Sequence, residues 1–197
     1  MSDPETIRIY DDRAADYAEM TDAYNTTDPR LAAFVAACPE GGRVLDLGCG
    51  PGAAAAKMAA AGLTVEATDA SAEMVALAGR HPGVSARQAT FDEIAGEAIY
   101  DGIWANFSLL HAPRDDFPRH LAALHRALKP GGVFLIGLKL GKGAARDKIG
   151  RLYTYYTEDD LMDHLRSAGF TPSDIKHGSG EGLDGTVSPW ISVIAHG

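Results

Sequence analysis

The sequence predicts an α/β domain: a mostly parallel sheet with helices on both faces. Two observations predict it. Beyond Arg43, short apolar runs alternate with helical stretches, the order that βαβ units impose. Val44 to Gly52 then reads Val-Leu-Asp-Leu-Gly-Cys-Gly-Pro-Gly, an apolar strand that ends in an acidic residue and enters a glycine turn. Glycines there lack a Cβ, so the backbone turns tightly and a ligand is expected to lie against its amide groups. With 197 residues and 46% hydrophobic content, the chain fills one domain, 1–197, and is short for a large second one.

Each element has a local reason. Helices are expected over Ile7 to Met20 and Pro29 to Ala37, together a helical lid within residues 1–38. Arg43 to Leu47 is the first strand. An Ala-rich helix follows from Ala53 to Ala61, with Gly62 where a left-handed cap is wanted. Leu63 to Thr68 is the second strand, and Ser71 caps a helix through Met74 and Leu77. Val84 to Gln88 and Asp101 to Ala105 are the third and fourth strands. A helix from Asp115 to Leu128 stops at the turn Lys129-Pro130-Gly131-Gly132, which leads into the fifth strand, Val133 to Leu138. Residues 139–156 hold three glycines and read as a mobile active-site flap. Thr157 caps a helix to Ser167, and Phe170 to Ile175 with Trp190 to Ala195 forms a terminal antiparallel pair.

Two segments carry a resemblance. Residues 44–52 fit the pattern hydrophobic-x-acidic-hydrophobic-Gly-x-Gly-x-Gly, and Leu128 to Gly132 reads Leu-Lys-Pro-Gly-Gly. Both resemble the class I S-adenosylmethionine (SAM) dependent methyltransferases, in their small single-domain, small-molecule form. The resemblance covers nearly the whole chain. It implies a Rossmann-like, seven-stranded, mostly parallel sheet in the order 3-2-1-4-5-7-6 with the last strand antiparallel. A dinucleotide-binding domain instead spaces its glycines Gly-x-Gly-x-x-Gly, and Asp46 would oppose a pyrophosphate while suiting a ligand with an ammonium and a sulfonium.

The resemblance implies that SAM lies against Asp46, Gly48, Cys49, Gly50 and Gly52 in the turn. It gives the ribose hydroxyls to Asp69 beside Ala70, and an adenine contact to Met74, which otherwise reads as core. After the third strand, Ala89-Thr90-Phe91 replaces the family's Gly-Asp-Ala. Thr90 and Phe91 are then the adenine contacts, with the charge missing or supplied by Asp92. Asn106 is expected to face the methionine part, or to serve only the turn.

SAM carries its own electrophile, so alignment of the acceptor is the protein's main task. Tyr10 and Tyr17, seven apart on one helical face, resemble a lid over the acceptor, with packing as the alternative. Tyr17, Tyr153 and His111 are the catalytic candidates, His111 as general base or, more plainly, as a structural histidine. Tyr10, His111, Lys139, Arg151 and Tyr156 are the acceptor-binding candidates. Cations beside phenols suit an anionic or aromatic acceptor, although the same segment also reads as a solvated loop.

A balance of 18 basic against 27 acidic residues, net −9, argues against binding nucleic acid or an anionic membrane, leaving a small molecule as the expected partner. Methylation of tRNA or protein, and a non-catalytic SAM-binding module, are the alternatives. No clustered His, Asp and Glu spacing suggests a metal. Two cysteines, no membrane-spanning apolar run and no signal-peptide order predict a cytoplasmic protein.

Overall fold

Strand β1 (Arg43–Leu47) is buried over all but its first residue, and a run apolar on both faces belongs in the middle of a parallel sheet. In the computed structural model, which describes residues 3–25 and 28–197, β1 lies between β2 (Thr64–Asp69) and β4 (Tyr100–Asn106), parallel to both. Strand β3 (Val84–Gln88) extends the β2 side, and β5 (Leu128–Lys139) pairs with β4. Strands β8 (Thr171–Glu181) and β9 (Val187–His196) form an antiparallel hairpin whose second arm docks on β5. The sheet order is β3-β2-β1-β4-β5-β9-β8. Counted within this sheet alone, the order is the implied 3-2-1-4-5-7-6, because β6 (Ala144–Arg146) and β7 (Leu152–Thr154) pair only with each other.

Strand alternation sorts the side chains onto two faces. Leu45, Leu47, Ile103, Phe134 and Ile136 pack with α6 (Phe117–Ala127) and α7 (Glu158–Ser167). Val44, Val65, Trp104 and Leu135 pack with α3 (Pro29–Ala37) and α4 (Ala53–Ala60). Asp46, Asn106 and Lys139 keep step with the second set. The chemistry-bearing side chains therefore emerge on the α3/α4 face. Helices α1 (Pro4–Asp12) and α2 (Ala14–Asn25) run over that face, and α5 (Ala72–Ala78) meets α1 at the end of β2. Among the described residues, no helix is long and apolar enough to cross a membrane.

Four local expectations are corrected. The N-terminal helix is two helices, since Asp3 caps Pro4 and the first helix ends at Arg13; residues 1, 2, 26 and 27 of the expected lid lie outside the described residues. Lys129-Pro130-Gly131-Gly132 is part of an irregular β5 rather than a turn before it, with the register shifting between Tyr100 and Gly102. The 139–156 segment is a knit hairpin instead of an open flap: Asp147 accepts from the backbone of Ile149 and Arg151, and Tyr155 donates to Gly143. The terminal hairpin is longer than its apolar runs, because Gly178-Ser179-Gly180 reads as a loop yet pairs with Trp190, Pro189 and Ser188.

Gly52 begins α4 with φ +85°, and an added Cβ would lie 2.8 Å from both the Cα and the Cβ of Ala78. Gly52→Ala therefore combines a left-handed alanine with a backbone clash, and should cost about 2 kcal/mol or more. The expected drop in melting temperature is roughly 4–8 °C for a chain of this size. An unchanged melting curve would refute this account of the turn.

Candidate active site

A cavity of about 730 Å³ lies over the carboxyl ends of β1, β2, β4 and β5 and continues along β9 and β8. That volume is within the usual range for small-molecule sites. Its two ends differ in charge and composition.

At the first end, Asp46 and Asp69 stand near the ends of neighbouring strands, Asp46 fully buried and Asp69 partly so. Asp46 takes an N–H from Ala55 at the start of α4, while its Oδ2 has no hydrogen-bond partner among the described residues. Burial, reinforced by the nearby Asp69 charge, pushes Asp46 up to about 7. Asp69 accepts from Gly50 N and Ser71 N, each at 2.9 Å. Burial raises its pKa as well, against the pull of those two bonds. A carboxylate has about four lone-pair sites, so acceptor capacity remains after two amide bonds. The amides of Gly48 and Cys49 donate to Thr68 O, so the turn spends its N–H groups internally. Its glycines supply close approach instead of the expected amide cradle. Gly48 has φ +69°, and a Cβ there would stand 2.3 Å from Ser108 Cβ.

Cys49, Ala70, Met74, Phe91 and Asn106 also line the cavity. Two expected cofactor residues do not. Thr90 closes a capping box with Glu93, its N–H donating to Glu93 Oε2 at 2.8 Å, and Gly52 is turned against Ala78. Asp92 is paired with Arg119 at 2.6 Å, which removes it as the replacement charge.

The second end is built on a buried polar chain. Arg151 Nη1 donates to Tyr10 Oη at 2.9 Å, and Tyr10 Oη lies 2.9 Å from His111 Nε2. His111 Nδ1 is 2.6 Å from Leu152 O, which accepts only, so the ring donates from Nδ1 and accepts the Tyr10 proton at Nε2. Burial and, secondarily, the Arg151 charge push His111 down to about 4 despite the Leu152 bond. Both ring nitrogens are therefore spent, and the imidazole is neutral at pH 7. Arg151 is itself paired with Asp147 at 2.7 Å. Tyr17 stands edge-on to Tyr10 with ring centroids 5.3 Å apart, and reaches over Gly50. Burial raises the pKa of Tyr10, Tyr17 and Tyr153, so all three stay protonated. Lys139 Nζ lies 4.2 Å from the Tyr153 ring centre. Tyr156 is not part of the wall: beyond the bridge to Leu140 it turns into the core and stacks on Phe117 under Arg114.

Sequence reasoning missed one group entirely. Arg30 pairs with Asp28 at 2.6 Å, donates to Asn106 Oδ1 at 3.3 Å and lies 4.9 Å from the Trp190 ring. Asp28-Pro29 reads as an ordinary helix start, and nothing local says that Arg30 faces a cavity. Ser108, whose Oγ is buried without a partner, follows Phe107 at φ +57°. A non-glycine residue held there marks a constrained turn at a functional site.

Comparison with known proteins decides the family. A family model described as a methyltransferase domain matches residues 21–174. The chain belongs to that family. The trans-aconitate 2-methyltransferase of Deinococcus radiodurans is 31% identical over 167 residues, covering 83% of this chain and 60% of that protein. This methyltransferase chain spans roughly half to two-thirds of the length of the curated relatives that match it along most of its length. The 1,6-didemethyltoxoflavin-N1-methyltransferase of Burkholderia thailandensis, solved with its substrate and S-adenosylhomocysteine, aligns with a TM-score of 0.73 at 28% identity, covering 96% of this chain and 87% of that one. A SAM-dependent methyltransferase from Methanosarcina mazei shares the fold at a TM-score of 0.73 and 19% identity, covering 86% and 97%. SAM is the cofactor of this family. The orphaned Asp46 Oδ2 beside the cavity fits a ligand carrying positive charge.

Tyr10→Phe strips the Arg151 donor and the His111 acceptor of their shared partner. It should lower stability by about 1–3 kcal/mol, measured by urea denaturation. A midpoint equal to the parent's would mean that the polar chain contributes nothing.

Proposed function

We propose that the protein transfers a methyl group from SAM to a small-molecule acceptor and releases S-adenosylhomocysteine. The observation that carries this reading is the pair of carboxylates, one buried and one partly buried, at one end of a cavity whose other end is lined by phenols and cations. When bound, SAM supplies a methyl on a positively charged sulfur. Asp46 offers its free oxygen to the cationic part, Asp69 offers its remaining acceptor sites to the ribose hydroxyls, and Met74 with Phe91 gives the adenine an apolar flank. Tyr10 and Tyr17 close the cavity from above and exclude water. Lys139, Arg151 and Tyr153 form the acceptor side, which suits an anionic or aromatic compound. The activity named for the Deinococcus relative, on a small carboxylic acid, supports a small acceptor.

Labelled methyl transfer from SAM into fractionated host extract tests this directly. Label in small molecules that is lost in Asp69→Ala is expected. Label in RNA or protein would replace the acceptor class, and SAM binding without any transfer would favour a binding module.

Asp46 gives a second test. Its raised pKa means the unliganded protein holds a proton there below about 7, so its contribution to stability is present in acid and is lost as pH rises through 7. Binding a cationic ligand ionises it. Calorimetry in buffers of different ionisation enthalpy should show release of up to about one proton per SAM bound at pH 6, and almost none at pH 9. Equal release at both values would remove Asp46 from the cofactor site.

A further inference from the structure

We infer that the acceptor is a carboxylic acid, methylated as its carboxylate without a general base, and that Lys139 is the charge that seats it. This rests on the methyl-transfer reading above. Four cationic side chains line the cavity, and three of them are already matched: Arg30 with Asp28 at 2.6 Å, Arg151 with Asp147 at 2.7 Å, and Lys176 with Asp174 at 3.2 Å. Lys139 is the exception among the described residues, with no carboxylate within ion-pair distance. Asp184, whose charge acts on Lys139 from a distance, makes its hydrogen bonds to the backbone and hydroxyl of Thr186. Half-buried over Tyr153 and beside the Arg151 guanidinium, the ammonium has no carboxylate in direct contact and feels Asp184 and Asp147 only from farther off. One unmatched positive charge calls for one negative charge on the ligand.

His111 is held at both nitrogens, and the Tyr10 hydroxyl donates to it. On the acceptor side the remaining acidic lining residue is Glu181, exposed at the end of β8. His177, the other lining histidine, stands half exposed and is tied through Nε2 to Glu158 at 2.8 Å, so among the described residues an acceptor that had to lose a proton finds no unpartnered base beside the buried wall. A carboxylate needs none. Its oxygen forms the new bond to the methyl carbon as the sulfur–methyl bond breaks, and that electron pair stays on sulfur. One negative and one positive charge become two neutral groups, and no proton moves. Charge annihilation is favoured in a site closed to water.

The test uses trans-aconitate, fumarate and benzoate, with the corresponding amides, titrated by calorimetry into the protein with and without S-adenosylhomocysteine. An acid should bind at least about tenfold more tightly than its amide, Lys139→Met should abolish that preference, and Lys139→Arg should restore most of it. S-adenosylhomocysteine affinity should stay at the parent value in both variants. Acids and amides binding alike, or a preference that survives in Lys139→Met, would overturn the proposal. The labelled product gives an independent readout, since a methyl ester releases its label as methanol in alkali. Alkali-stable label would end the carboxylate proposal while leaving methyl transfer intact. Failure to bind SAM would end the methyl-transfer reading, with the acid-over-amide preference still read on the protein alone.

Discussion

Two carboxylates set side by side, Asp46 buried and Asp69 partly buried, are the constraint around which this molecule is organised. Burying one charge is costly and burying two adjacent ones more so, because each raises the energy of the other. The structure reduces that cost with backbone N–H groups, one to Asp46 from the start of α4 and two to Asp69 from the turns after β1 and β2. What it leaves undone is as informative. A side-chain cation would have satisfied Asp46 permanently, and among the described residues none pairs with it, although Asp46 lines the cavity. Folding therefore keeps in reserve an electrostatic demand that a positively charged ligand meets.

The first helix is fastened from two directions. Asp11 accepts from Ser71 Oγ and from Glu73 N at the start of α5. On the other side, Asp3 pairs with Arg146 at 2.9 Å and Thr6 Oγ1 accepts from Leu152 N. Between these anchors Tyr10 reaches down to Arg151 and His111. The exposed ion pair adds little alone, whereas the buried chain is costly to break because it would leave polar groups without water. The roof over the cavity and the β6–β7 hairpin thus hold each other in place.

Most of the sheet was legible because its determinants are local. The apolar run of β1, the glycine turn, Ser71 as a cap and Thr157 with Asp160 all act within a few residues, and each expected strand of the sheet is present. Asp69 and Met74 were accessible to the same reasoning, since a position just after a strand is fixed by topology. Arg30 was not, because its meaning depends on Trp190 and Asn106, distant in sequence. Nor was the state of His111: the sequence shows an imidazole after β4, but not that Tyr10 and Leu152 occupy both of its nitrogens. Tyr156 failed for a related reason. Three tyrosines in four residues look equivalent until the bridge to Leu140 turns one of them inward.

The placement of β9 has a consequence for how the molecule comes into being. This strand, near the C-terminal end of the sequence, is inserted between β5 and β8 rather than added at an edge. It carries Trp190 and Ser192 into the cavity wall. The carboxylate end of the cavity is made from β1, β2 and their turns, which pair across a short stretch of sequence. The opposite end requires contacts across more than half the chain and waits for the arrival of β9. The strands that carry the two carboxylates are thus synthesised long before the strand that completes the wall at the far end of the cavity.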